Sequence, residues 1–398
     1  MCLVTMMDKK LYLDRRSLII TLGMVVIIMY ASLYRFRIRS DTDPAGPFRT
    51  LLAGWKTLTK PSDVLANILF YLPFGFFLAR SLTTFRSAIT VSFATSNGFL
   101  LSFAMESLQF YIVGRNAAMS DVYADTAGAL LGSTAACLSR GFSFGRPGNR
   151  FVVLLLASWL GGRLFPYVPV ADLHKYWDAL KPLIFAPELP PMDLFRHAVA
   201  WLAIGLLLEA LLGAARSRTA LAFLLTAVLF ARIVIINVVL APAEVVGGVA
   251  AVLAWALLSR LRVGAVIVTI LFVISVVLQG LEPFRFTSTA RAFGWVPFRS
   301  FLTGPIQLAI VSFFEKVFIY GCLVWLLTRS GCSWFASTAW GAVLVMTLRL
   351  MQVYLPGRSA EISDAVMVLI IAGIMRLISD ASFDQRSKPQ RASSPIPS

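Results

Sequence analysis

The chain has 398 residues, 58% of them hydrophobic and 14% charged, with a mean hydropathy of +0.78 and a formal net charge of +16. A soluble domain carries roughly 25% charged residues, so this composition excludes a soluble globular protein. The bases stand in short stretches between apolar runs, which argues against a nucleic-acid surface and suits charge that orients a membrane protein against an anionic leaflet.

In lipid every backbone N–H and C=O must be satisfied within its own segment, and alternation at period two is absent, so the apolar runs are read as helices and not as a barrel. Twelve spans are predicted, near residues 18–33, 64–78, 89–110, 122–138, 151–164, 199–212, 221–240, 245–258, 263–281, 308–327, 334–349 and 365–378. The first is read as a retained helix, because no small-residue cleavage site follows it, and Cys2 is then not a lipoprotein cysteine. Lys9, Lys10, Arg15, Arg16, Arg80, Arg86, Arg140, Arg146, Arg150, Arg216, Arg218, Arg260, Arg262 and Arg329 fall on one side of that topology, which places both termini in the cytoplasm. The Ser- and Pro-rich residues 381–398 are expected to form a disordered cytoplasmic tail. The four cysteines form no CxxC pair, and the topology predicts no structural disulfide.

Polar residues concentrate between the third and fourth spans. Glu106 and Gln109 share a helical face at the end of one span, Arg115 lies in the turn, Asp121 stands where an N-cap belongs, a place that Ser120 could fill equally, and Asp125 is one turn further on. Asn67 is expected at the same, outer end of the second span. Ionisable groups within a membrane are costly and mark function or a satisfied pair.

The same string recurs. ESLQFYIVGRNAAMSD from Glu106 and RLMQVYLPGRSAEISD from Arg349 match without a gap, pairing Gln109 with Gln352, Arg115 with Arg358 and Asp121 with Asp364. A worn middle copy aligns Arg232 with Arg349 and Glu244 with Glu361, and His197 with Asn67. The loop entrances LYRF, LFPY and LEPF, from Leu33, Leu164 and Leu281, mark the three starts. Three parallel four-helix repeats follow as the predicted architecture, an all-α transmembrane bundle with units near 1–150, 151–262 and 263–380. The middle copy lacks the G-R and S-D pairs and is expected to be structural.

At these residues the chain resembles the VanZ-like family of integral membrane proteins. The family pattern is an N-x-x-x-F-x-P-F-G helix, a helix ending E-x-x-Q-x-F, an Arg, then D-x-x-x-N-x-x-G-x-x-x-G. Here it is carried by Asn67, Pro73, Gly75, Glu106, Gln109, Arg115, Asp121, Gly128 and Gly132, with Asp125 where the family has Asn. The third unit matches in part: it lacks counterparts of Asn67 and Glu106, and Arg349 stands in the Glu106 position. The resemblance implies a bacterial inner-membrane protein of the cell envelope, with a link to glycopeptide resistance of the teicoplanin type.

Each candidate carries a structural alternative. Glu106, Arg115 and Asp121 either bind a polar group or lock a tight hairpin by pairing. Asn67 and Gln109 also serve as interhelical hydrogen-bond glue, and Gly128 with Gly132 form a small-x-x-x-small packing seam. Arg232 in mid-span is expected to pair with Glu244. No nucleophile elbow, phosphate loop, zinc motif or cofactor fingerprint is present. The expected ligand-binding set is Asn67, Glu106, Gln109, Arg115, Asp121, Asp125, Gln352, Arg358 and Asp364, taking a membrane lipid or lipid-linked cell-wall component at the outer leaflet without catalysis; membrane-protein partners fit as well. A transporter or flippase is the first alternative, and an intramembrane glycan-lipid transferase using Glu106 and Asp121 is the second.

Overall fold

The computed structural model describes residues 14–34, 36–40, 46–53, 61–82, 85–139, 149–185, 187–236 and 238–380. The predicted tail and Cys2 lie outside them. The regular elements among the described residues are all helices, with isolated bridges and no strands. It divides into two compact units, residues 1–143 with 305–307, and residues 144–304 with 308–398.

The first unit holds α1 (Arg15–Leu33), α2 (Gly46–Ala53), α3 (Pro61–Ser81), α4 (Ser87–Gln109) and α5 (Met119–Leu138). The second holds α6 (Arg150–Leu164), α7 (Leu173–Phe185), α8 (Pro191–Leu212), α9 (Ala214–Val234), α10 (Pro242–Leu258), α11 (Gly264–Leu281) and α12 (Arg299–Thr303). It continues with α13 (Ile306–Arg329), α14 (Trp334–Met351) and α15 (Ser363–Asp380). Helices thus occupy all twelve predicted positions. Eight of them, α1, α3, α4, α8, α9, α11, α13 and α14, are long and apolar enough to cross a membrane, and α10 is apolar but shorter. The seventh predicted span stops at Val234, not 240, because Ile235 turns to an extended conformation.

Glycines explain the packing of the first unit. A Cβ on Gly128 would lie 2.4 Å from the Ile68 carbonyl oxygen, and one on Gly132 would lie 2.0 Å from that of Leu72. A Cβ on Gly75 would lie 2.2 Å from the Ala129 carbonyl oxygen. The backbones of α3 and α5 therefore touch, as close helix association in lipid requires of small residues. Pro73 sits inside α3 without ending it. Ile28, Tyr71, Phe74 and Met105 pack around this seam.

In the second unit α8 is apolar on all sides and buried on nearly all of them from Val199 to Leu208. Trp159 meets Trp201 edge to face at 4.7 Å between centroids, and Trp255 donates its indole N–H to Ser217 Oγ at 3.2 Å. The segment around Trp177 is α7, which turns Leu173, Ile184 and Phe185 outward and buries Ala179. The segment around Trp295 is not helical, and the short α12 comes directly after it.

Three local features recur along the chain. After α1, α6 and α11, the backbone turns through an aromatic residue at positive φ: Phe36 at 46°, Tyr167 at 63° and Phe284 at 60°. Bulky residues rarely adopt that conformation, so surrounding structure must impose it. The segment that follows then hydrogen-bonds to the last turn of the third long helix of its set or to the residues just beyond it. Arg39 N–H donates to the Tyr111 carbonyl, Val170 N–H to that of Val234 and Thr287 N–H to that of Tyr354, at 2.9, 3.0 and 2.8 Å. Finally, a basic side chain reaches carbonyls there: Arg39 to Ile112 and Arg115, Lys175 to Arg232 and Ile233, Arg291 to Gln352 and Leu355. Desolvation, and then the Arg232 charge, lower the pKa of Lys175.

Candidate functional site

The first-unit hairpin is built by Glu106. This buried carboxylate, in the last turn of α4, accepts the Ala118 N–H at 2.9 Å. Ala118 is the N-cap of α5 and has no side chain to cap with, so the cap comes from across the hairpin. This corrects the expected role of Asp121. It stands three residues past the N-cap, inside the first turn, where its charge favours the positive helix end. Its Oδ1 is buried without a hydrogen-bond partner among the described residues.

Asp125 is buried one turn on and accepts Ser102 Oγ–H at 2.6 Å. Arg115 Nη2 donates to the Ala31 carbonyl at 2.6 Å, tying the turn to the end of α1. Gln109 is buried at the end of α4, and Asn67 is half-buried on α3. The expected first-unit residues thus lie on α3, α4, α5 and the α4–α5 turn of one compact unit, and the contacts that resolve serve mainly the hairpin.

The third set of helices uses the same turn differently. Arg358 Nε donates to the Glu282 carbonyl at 2.8 Å, and its Nη2 lies 3.2 Å from the Glu282 carboxylate, just past the end of α11. Gln352 donates to the Gly280 carbonyl at 2.7 Å and accepts Arg349 Nη1–H at 2.5 Å. Asp364, buried in the first turn of α15, takes an ion pair from Arg349 Nε and another from Lys316 Nζ at 2.7 Å. Arg349 Nη2 also donates to Tyr320 Oη at 3.2 Å.

These groups border a cavity of about 290 Å³. Lys316, Arg349, Arg358, Gln279, Gln352 and Tyr320 supply its polar wall, while Val276, Ile319, Val345 and Leu348 supply its apolar side. Two expected residues, Gln352 and Arg358, line it, and Asp364 lies behind the wall. Lys316, Arg349 and Glu282 were not among the expected site residues. Lys316 carries a usable signal, since Glu315 and Lys316 are adjacent charges inside an otherwise apolar run.

The middle set closes on itself. Arg232, in the last turn of α9 and not in mid-span, lies 3.2 Å from Glu244, and Arg163 lies 3.7 Å from the same carboxylate. Arg163 Nη2 is 2.7 Å from His197 Nδ1. Among the described residues no cluster of His, Cys, Asp and Glu has the makings of a metal site.

Residues 17–140 match the family model described as VanZ/LLP1, so this part of the chain is VanZ-like. No curated protein and no solved structure matches the chain.

Proposed function

We propose that this VanZ-like, multi-pass membrane protein is a non-enzymatic envelope protein that holds the anionic group of a lipid or lipid-linked cell-wall component. The observation that carries this reading is the cavity bordered by Lys316, Arg349 and Arg358. Charged groups within a membrane segment are retained where they face a partner or a polar cavity, and here they face both. Positive charge in the short loops puts this end of the helices at the outer leaflet, with both termini in the cytoplasm of a bacterial inner membrane.

The same reading takes the chain as three four-helix copies of twelve spans in all. The recurring positive-φ aromatics and basic ties to backbone carbonyls support it. The first copy keeps the family residues, the second is closed by its Arg232–Glu244 pair, and the third carries the site. In cells, occupancy of this site alters sensitivity to teicoplanin-type glycopeptides.

The test compares Arg349→Gln and Lys316→Gln with the parent chain at equal membrane levels. Lipid co-purifying with the protein is identified by mass spectrometry, and glycopeptide sensitivity is scored in parallel. The reading expects both variants to lose an anionic lipid that the parent retains. Equal retention by all three would refute it.

A further inference from the structure

We propose that the cavity selects a lipid phosphate of a single negative charge, a phosphodiester, bound by Lys316 and Arg349, with Asp364 and Glu315 setting the charge limit. This rests on reading the cavity as an anion site. The three cations of its wall are not equally available. Arg358 is balanced by Glu282 at 3.2 Å. Lys316 and Arg349 share one carboxylate, Asp364, which is 2% exposed and lies behind them. Two positive charges in direct contact with one negative charge leave a local surplus of one, which the more distant Glu361 and the exposed Glu315 offset only in part, because solvent screens them more.

The unused hydrogen-bonding capacity sits on the same two residues. A guanidinium has five N–H donors. In Arg349, Nε goes to Asp364, Nη1 goes to Gln352 and the Ser359 carbonyl, and Nη2 goes to Tyr320, which leaves one. Lys316 has three donors, lies 2.7 Å from Asp364 Oδ1 as an ion pair, and holds its Nζ 4.7 Å over the Phe301 ring. One Arg donor and two Lys donors suit the two unesterified oxygens of a phosphodiester.

Glu315, exposed and also on the lining, opposes further negative charge. A phosphomonoester or diphosphate brings a second charge with nothing to meet it, and like charges at close range disfavour the wrong ligand. The apolar side of the cavity suits the glycerol and first methylenes of a lipid better than a hydrated free ion. A volume of about 290 Å³ takes a headgroup and the start of its chains.

The full-length chain in detergent is titrated by native mass spectrometry at about pH 8, where a phosphomonoester carries most of its second charge. The probes are dihexanoyl phosphatidylglycerol, phosphatidic acid and phosphatidylcholine, with inorganic phosphate as competitor. Phosphatidylglycerol is expected to bind about tenfold tighter than phosphatidylcholine and several-fold tighter than phosphatidic acid. Inorganic phosphate is expected not to displace it. Glu315→Gln, at an exposed position that tolerates change, is expected to raise phosphatidic acid affinity until the two anionic lipids are about equal. Asp364→Asn is expected to act in the same direction where it folds.

If phosphatidic acid binds the parent chain as tightly as phosphatidylglycerol, or Glu315→Gln leaves their ratio unchanged, the charge limit falls and the anion site stands. Displacement by inorganic phosphate at equal concentration removes the lipid part of the proposal. If neither anionic lipid outcompetes phosphatidylcholine, the anion site itself is refuted.

Discussion

The α4–α5 hairpin of the first unit and the α14–α15 hairpin of the second share a sequence string, and they do different work. In both, a glycine at positive φ, Gly114 at 76° and Gly357 at 75°, makes the turn, and the next Arg ties it to a carbonyl near the end of the set's first helix. What differs is the residue that opens the string. Glu106 turns back to cap α5, whereas Arg349 joins Lys316 on Asp364 and leaves positive charge on a cavity wall. The helix seam differs too. Gly128 and Gly132 let α3 and α5 touch, while the corresponding Ile371 and Met375 carry buried side chains in place of the glycines. The shared string is therefore a way to build a turn, and the residues around it decide whether that turn faces packed backbone or open space.

The strongest way to break the comparison is at the seam. Gly132→Leu puts a side chain where a Cβ already lies 2.0 Å from a backbone oxygen. A loss of more than about 3 kcal/mol is expected, read as loss of the folded protein in detergent melts. Met375→Ala, which only empties space, should leave the protein folded but less stable by about 2–4 kcal/mol.

The next effect is on binding. Arg349→Glu gives the third set the first unit's residue and places two carboxylates together. Anionic-lipid binding should fall at least about tenfold in a titration, with the fold checked by gel filtration. Glu106→Ala removes the acceptor for Ala118 N–H and should lower the melting free energy by about 1–2 kcal/mol, while Glu106→Gln, which keeps an acceptor, should cost less. The smallest change sharpens the likeness. Gly114→Ala and Gly357→Ala should each cost about 1 kcal/mol, and by similar amounts, because both turns need the left-handed backbone.

Much of this was legible in the residues, because lipid leaves helices as the form of an apolar run. Helices stand at all twelve expected positions, and the Gly128–Gly132 seam is read from spacing alone. The partners of the turn arginines were not legible. Arg115 and Arg358 find acceptors 84 and 76 residues away, and no local pattern encodes that distance. Asp121 was misplaced for a related reason, since the acceptor at the start of α5 belongs to another helix. Lys316 was legible as a charge in an apolar run, but the space beside it was not, because a cavity depends on how several helices fail to meet.

The ties from Arg39, Lys175 and Arg291 to carbonyls 73, 57 and 61 residues further along bear on biogenesis. Each clasp joins a segment made early to one made two long helices later. While the chain is still being synthesised, the earlier half waits in the bilayer with its latch open, and the donor and acceptors must be sheltered until the third helix arrives. A chain truncated within that interval would keep the basic side chain and lack the carbonyls that satisfy it.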